Sequence, residues 1–228
     1  MRLLIFLSAF LISTFSYSQQ TDYRVDKDRF TAGISGTVSP ENLLSGLLSS
    51  GDEGSSESSG GGGAIFLFGG FGKTIGDPVR NGYFFSGEIR ARVGLLSDGG
   101  DQYFDIGDRE HFMSYNGTLA GLSVLFRPNF EIAAESYVYL EGEFGFMYEY
   151  IRTKIGMENN LVIAQNSGGY IVPQYGVKLG LRYKRFGLSI GYHYFNHTTA
   201  VNKLNPKEYK IVNSQEGVGG ELGFCFFF

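Results

Sequence analysis

The chain has 228 residues, a formal net charge of −4 and only 18% charged residues. Gly supplies 34 positions, about 15% and roughly twice the usual share, and aromatic residues reach 16% with no Trp. That composition excludes an acidic disordered chain and a helical bundle. A single Cys excludes an intramolecular disulfide framework, and a mean hydropathy of −0.07 with no long apolar run after residue 15 excludes a helical membrane protein.

Residues 1–18 read as a targeting segment. Met1-Arg2 is a short positive start, Leu3 to Phe15 is an apolar run, and Ser16-Tyr17-Ser18 places small residues at a cleavage site. Cleavage after Ser18 removes Arg2 and no acid, leaving 18 basic residues against 23 acidic, a formal net of −5. Such a balance argues against nucleic acid as a partner. Residues 19–27 follow as a polar N-terminal extension on the periplasmic side, and the folded domain is expected over 28–228.

From residue 30 onward the pattern has period two, the signature of half-buried strands. Phe30, Ala32, Ile34, Gly36 and Val38 alternate with Thr31, Gly33, Ser35 and Thr37. Residues 64–75 are apolar in both phases, so their facing stays open. Tyr83, Phe85, Gly87, Ile89, Ala91, Val93 and Leu95 oppose Phe84, Ser86, Glu88, Arg90, Arg92 and Gly94. Residues 114–126 give a fourth segment of open facing, with Thr118, Ala120, Leu122, Val124 and Phe126 in one phase. In the fifth, Val138 to Tyr150 oppose Glu141, Glu143, Gly145 and Glu149. In the sixth, Tyr175, Val177, Leu179, Leu181 and Tyr183 oppose Gln174, Lys178 and Arg182. The seventh sets Phe186, Leu188, Ile190, Tyr192 and Tyr194 against Ser189 and His193, and the eighth sets Leu222, Phe224, Phe226 and Phe228 against Glu221 and Cys225.

One face is thus continuously apolar and tipped by Tyr, while the other is charged and rich in Gly. A soluble barrel turns its apolar face inward; a membrane barrel inverts this. The connectors alternate between short (76–82, 127–136, 183–186) and long (39–62, 96–113, 152–169, 197–216), as short periplasmic turns and long outer loops do. The expected fold is all-β, an eight-stranded antiparallel up-and-down transmembrane barrel in the cell outer membrane, monomeric and in contact with outer-membrane lipid. Tyr83 and Tyr183 fall at its periplasmic rim, and Tyr148, Tyr150, Tyr192 and Tyr194 at the outer one, as an aromatic girdle. Residues 45–62, within a Ser/Gly-rich acidic stretch, read as a flexible loop.

The Leu222/Phe224/Phe226/Phe228 row, ending on Phe228, resembles the small outer-membrane β-barrel family of the OmpA/OmpX type. The likeness covers about 28–228 and rests on architecture and the terminal FCFFF. It implies that Phe228 is an assembly signal read by the barrel assembly machinery. The family's aromatic girdles carry Trp, which this chain lacks.

Candidate chemistry is sparse. Glu88, Arg90, Arg92, Glu141, Glu143, Lys178, Arg182 and Glu221 share the inner phase and read as a charge network in the lumen. Arg90, Lys178, Glu143 and Glu221 are expected near one depth. An eight-stranded interior is just wide enough for side chains to fill, so the charges must pair. The expected function is therefore non-enzymatic: a salt-bridge-plugged barrel with surface loops for structural roles or for binding an unknown extracellular ligand. A small porin-like channel for ions or solutes is the alternative. His197, Thr199 and Asn205-Pro206 are similar to the His-x-Ser … Asn-Pro stretch of outer-membrane lipid A deacylases, which implies a third reading, a lipid-modifying hydrolase. Here Thr199 replaces the Ser, Ala200 replaces the following Asn, and Ile211 and Val212 stand where an orienting acid is expected. No cofactor is expected. The Gly60–Gly63 run lacks the Lys-Ser/Thr of a phosphate loop, and Asp52, Glu53 and Glu57 lack EF-hand spacing, so no metal is expected either.

Overall fold

A computed structural model describes residues 30–38, 63–75, 82–97, 102–106, 109–157, 161–205 and 218–228. The targeting segment 1–18, the extension 19–27 and the Ser/Gly-rich loop 45–62 lie outside the described residues. The chain order is β1 (Phe30–Val38), β2 (Gly63–Ile75), β3 (Tyr83–Ser97), β4 (Gln102–Ile106), β5 (Arg109–Ala133), β6 (Ser136–Met157), β7 (Leu161–Tyr183), β8 (Phe186–Phe195), α1 (His197–Leu204) and β9 (Val218–Phe227).

Eight of the strands form a closed hydrogen-bonded ring. Their order is β3-β2-β1-β9-β8-β7-β6-β5, and β3 pairs with β5 to close it. Every ladder is antiparallel. Strand β4 lies outside the ring and pairs with the first residues of β5, Gln102 opposite Met113 through Ile106 opposite Arg109. At one end of the ring, the turn end, β5 passes to β6 through Ala134-Glu135 and β7 to β8 through Lys184-Arg185. Glu135 and Lys184 take left-handed backbone conformations, φ 58° and 50°. The two turns brace each other: the Lys184 N–H donates to the Glu135 carbonyl at 2.9 Å, and the Lys184 ammonium lies 3.3 Å from the Glu135 carboxylate. The opposite end, the loop end, carries the long connections and α1.

The structure resolves the facing of every ring strand, including the two whose facing the sequence leaves open. Outward residues are large and apolar: Ile65, Leu67, Ile89, Val93, Leu122, Val124, Phe144, Val177, Leu179 and Leu222 are all exposed. The ambiguous second strand turns Ile65, Leu67 and Phe71 out, and Ala64, Phe66 and Phe68 in. In β5, Leu122, Val124 and Phe126 point out while Leu119, Ser123, Leu125 and Arg127 point in. Of the tyrosines expected to form a girdle, Tyr83, Tyr148, Tyr183 and Tyr192 are exposed on the outer surface of the ring, and Tyr150 and Tyr194 are half-buried there.

Three expectations need correction. Residues 127–136 are not a connector, because β5 runs on to Ala133. The Pro128-Asn129 pair reads as a turn, yet Pro128 is opposite Phe85 in the β3 ladder, and the β6 ladder skips Arg127 and Pro128 before resuming at Asn129. A proline lacks one backbone donor, so a strand tolerates it where one ladder lapses. Residues 96–113 and 152–169 are not loops either. They hold the end of β3, all of β4 and the paired outer halves of β5, β6 and β7. Gly168-Gly169 and Asn166 suggest a loop, but their partners Ile151, Tyr150 and Thr153 on β6 supply the ladder. Finally, the connector 197–216 is not all loop. His197 opens α1, whose cap Asn196 accepts the Thr199 N–H at 2.9 Å. No described helix is long and apolar enough to cross a membrane.

Glycines let inward side chains lie flat across the narrow interior. A Cβ on Gly180 would overlap the ring of Tyr139, which is itself fully buried, whereas a Cβ on outward Gly87 would meet nothing within 4 Å. Gly180→Ala should therefore destabilise by about 1–3 kcal/mol in urea titrations of the refolded protein, and Gly87→Ala should be close to neutral.

Candidate functional site

Strand β6 crosses every layer of the interior. Its inward residues read Tyr137 and Tyr139, then Glu141 and Glu143, then Met147, Glu149, Ile151 and Ile155. The interior follows the same sequence: aromatic at the turn end, ionic in the middle, apolar at the loop end.

The ionic layer contains four carboxylates and four cations, all buried. Glu141 receives both Arg90 guanidinium nitrogens, at 3.1 and 3.3 Å, and Arg127 Nε at 2.6 Å. Glu88 accepts from Arg90 Nε at 2.9 Å, Arg127 at 2.6 Å and the Thr31 hydroxyl at 2.7 Å. Glu143 accepts from Arg92 and from the Ser123 hydroxyl. Lys178 stands at the centre, its ammonium 3.2 Å from both Glu141 and Glu143 and 2.9 Å from Glu221. Four negative and four positive charges cancel, and bidentate or multiply donated pairs of this kind are what a desolvated charge requires.

Inward phenylalanines complete the layer. The Arg90 guanidinium lies 4.3 Å from the Phe68 ring centroid, Arg92 lies 5.2 Å from Phe66, and Arg182 lies 3.9 Å from Phe227. Phe68 and Phe66 cover the flat faces of guanidinia whose edges are hydrogen-bonded to carboxylates. Arg182 also donates from Nε to the Lys184 carbonyl at 2.8 Å, one rung below the main layer. A small recess enters from the turn end and is bounded in part by Glu88, Arg127 and Arg182.

His193 joins the layer from β8. Its Nδ1 is 3.2 Å from an Arg92 nitrogen, a group that can only donate, so Nδ1 accepts. Its Nε2 then donates to the Gln174 carbonyl oxygen at 3.2 Å. The Gln174 amide in turn donates to the carbonyls of Phe146 at 3.1 Å and Leu122 at 3.4 Å. This chain assigns a neutral imidazole. Glu143, His193 and Glu221 bring three ligand atoms within 4.8 Å of one another. Arg92 and Lys178 already hold the two carboxylates, so a metal ion would have to displace both cations.

Of the residues singled out from the sequence, Glu88, Arg90, Arg92, Glu141, Glu143, Lys178 and Glu221 meet in this layer. Arg92 rather than Arg90 reaches Glu143, while Arg90 pairs with Glu88 and Glu141. Arg127 is an additional member that the sequence reading placed in a connector. Its inward phase follows Leu125, Ser123 and Gly121, and that continuation was the available signal. His197 and Thr199 are not brought together for catalysis. On a helix, residues two apart point about 200° apart, and Thr199 is exposed while His197 turns toward Tyr115, Nε2 to hydroxyl 3.2 Å. Burial pushes the His197 imidazole down to about 4, so it is neutral at pH 7.

Above the ionic layer, α1 buries Ala200 and Val201 against Phe66, Leu119, Met147, Ile151, Ile155, Val172 and Phe195. The C-terminal end of α1 is fixed by Asn205, whose Oδ1 accepts from the Thr153 hydroxyl at 2.8 Å. On the same face of β6, between Met147 and Ile151, is Glu149. It is fully buried, and neither oxygen has a hydrogen-bond partner among the described residues.

No family model matches the chain, and no curated protein matches it. Among solved structures it is similar to the crystal structure of Ail, the attachment invasion locus protein of Yersinia pestis, at 14% identity and a TM-score of 0.36, covering 88% of this chain and 96% of that one. The same protein in complex with the heparin analogue sucrose octasulfate gives 14% identity, the same coverages and a TM-score of 0.32. At these TM-scores the likeness adds nothing to the geometry of the chain itself.

Two opposite mutational outcomes follow from the two kinds of buried acid. Glu143→Ala leaves Arg92 and Lys178 with a lost partner and should cost about 3–5 kcal/mol; Glu143→Ala combined with Arg92→Ala should cost clearly less than the sum of the single changes. Both are read as urea midpoints. Glu149→Leu removes a buried carboxyl that pairs with nothing described and should instead stabilise the fold by about 1–3 kcal/mol.

Proposed function

We propose that the chain is an outer-membrane β-barrel with a plugged lumen and no enzymatic activity, working through a sheet that it presents outside the membrane. The carrying observation is the inverted ring: apolar side chains outward, and a charge-neutral layer of buried carboxylates, guanidinia and an ammonium inward. In water, that arrangement would expose a continuous apolar belt; in lipid, it satisfies both surfaces.

Strand length supports the same reading. A spanning strand needs about 9–11 residues, and β1, β8 and β9 have 9, 10 and 10. Strands β5, β6 and β7 have 25, 22 and 23. Their connections at the turn end are only two residues long, so the surplus projects from the loop end. There β4–β5–β6–β7 continue as a sheet beyond the band of Tyr148, Tyr150 and Tyr192. Gln174 is the last β7 residue opposite β8, where it faces Phe195. Among the described residues, Leu161–Pro173 pair only with β6. That leaves one row of backbone donors and acceptors for an added strand, a recognised route to binding extended peptide segments of a partner.

The ionic layer and the apolar cluster under α1 support a closed lumen rather than a channel. The full chain should fractionate with the outer membrane, show heat-modifiable gel mobility and give no steady conductance in planar bilayers; a stable ohmic conductance would replace this reading with the channel. Leu179→Arg, on the belt, should cost about 2–4 kcal/mol if it lies near the bilayer midplane, whereas Gln165→Arg, on the same outward phase of β7 in its projecting half, should be nearly neutral. Equal tolerance of both in refolding titrations would mean that the belt faces water.

A further inference from the structure

We propose that the outward face of β5, β6 and β7 just above the Tyr148–Tyr150 band binds phosphate groups of outer-leaflet lipids through Arg152 and Lys154. The inference rests on the transmembrane reading given above.

The outward phase of β6 reads Leu140, Phe144, Phe146, Tyr148, Tyr150, Arg152, Lys154. Apolar, aromatic and then cationic residues follow one another along a single line of one strand. Arg152 lies four residues past Tyr148, about 13 Å along the strand, and less along the membrane normal because strands tilt. The headgroup region adds about 5–8 Å to each side of the hydrocarbon core, so this step carries the guanidinium from the hydrocarbon edge into or just above that layer.

Both cations are exposed, and neither forms an ion pair with a described residue. Each is instead laid over an aromatic ring on its own face. The Arg152 guanidinium is 5.6 Å from the Tyr150 centroid, and the Lys154 ammonium is 5.7 Å from Phe112. The Tyr150 hydroxyl is in turn held by a hydrogen bond to the Ser167 hydroxyl at 3.3 Å. The charged ends are thereby positioned over the sheet's own rings, while both side chains stay exposed to the surroundings.

The cross-strand neighbours add donors and no opposing charge. Arg152 is opposite Asn116 and Ser167, and Lys154 is opposite Ser114 and Gln165. The chain as a whole carries a formal −4, yet between Ser114 and Gly169 this face contains two cations and no described acid. A cationic, hydroxyl- and amide-lined strip continuous with the lipid-facing belt complements a layer of phosphate monoesters and diesters. A soluble polyanion would not need that continuity.

The test uses the full chain refolded into nanodiscs of phosphatidylcholine, with insertion verified by heat-modifiable mobility. Spin-labelled phosphatidic acid and phosphatidylcholine then report the lipid held at the protein surface. The native chain should prefer phosphatidic acid, and Arg152→Gln and Lys154→Gln should each lower the preference by about fivefold. Lys203→Gln, a cation on α1 lying over Tyr170, should leave it unchanged. A preference that survives the double variant, or equal retention of both lipids by an inserted native chain, overturns this inference alone. Displacement of phosphatidic acid by an equal concentration of inorganic phosphate overturns the lipid as the source of the anion. Failure to insert overturns the transmembrane reading and this inference with it.

Discussion

A charge removed from water must be paired, and the ring is too narrow to leave one unpaired at its centre. Most of the interior can be derived from that constraint. Lys178 lies within 3.2 Å of three different carboxylates, so strands β6, β7 and β9 cannot shift register relative to one another without stranding an ion. Arg90 and Arg127 impose the same condition between β3, β5 and β6. Register in a sheet is normally set by which face is apolar. Here the outer face is apolar at nearly every outward position and would accept several registers, so the ion pairs supply the missing specificity.

The layer also explains why the inner face is not uniformly polar. Phe66, Phe68 and Phe227 occupy inward positions of strands that a binary pattern would fill with polar residues. Phe66 and Phe68 cover guanidinia whose edges are already committed to carboxylates, and Phe227 covers that of Arg182, whose Nε is held by the Lys184 carbonyl. The same logic accounts for Gly180: it has no side chain because Tyr139 crosses its position. Glu149 is the exception, a buried acid in an apolar layer without a described partner.

Period-two alternation made the ring strands legible in the sequence, because one face was apolar at every step. Seven of the ionic-layer residues could be found from that phase and from counting along the strands. Arg127 could not, since Pro128 and Asn129 broke the pattern and hid a strand whose β6 ladder lapses for two residues. The facing of β2 was illegible because its inward residues are Phe rather than charged, for a reason that lies on β3. The outer halves of β6 and β7 resembled loops because Gly, Asn and Ser recur there; their strand character comes from each other rather than from intrinsic preference. Helix α1 was missed because eight residues carry too little periodicity, and its buried side, Ala200 and Val201, is defined only by the cluster it covers.

The ring is closed between its first and last strands. Phe30 and Phe228 exchange backbone hydrogen bonds at 3.2 and 2.8 Å, and the β1–β9 ladder joins Thr31 to Phe227 and Val38 to Gly220. Along this seam the inward residues are small or neutral except for Glu221, and the charge holding Glu221 comes from β7, not from β1. Every other ladder of the ring joins strands adjacent in the order of synthesis, apart from β3 with β5, which flank β4. The seam alone must bring together residues separated by almost the whole chain, at the highest loop-closure entropy of any ladder in the fold. The meander from β5 to β8 can therefore zip first from its two-residue turns, and closure is left as a late, single event that waits for β9. Until then β1 and β9 are two open edges, so the folding chain is most exposed to misassociation at the strands that end up as the least charged part of the wall.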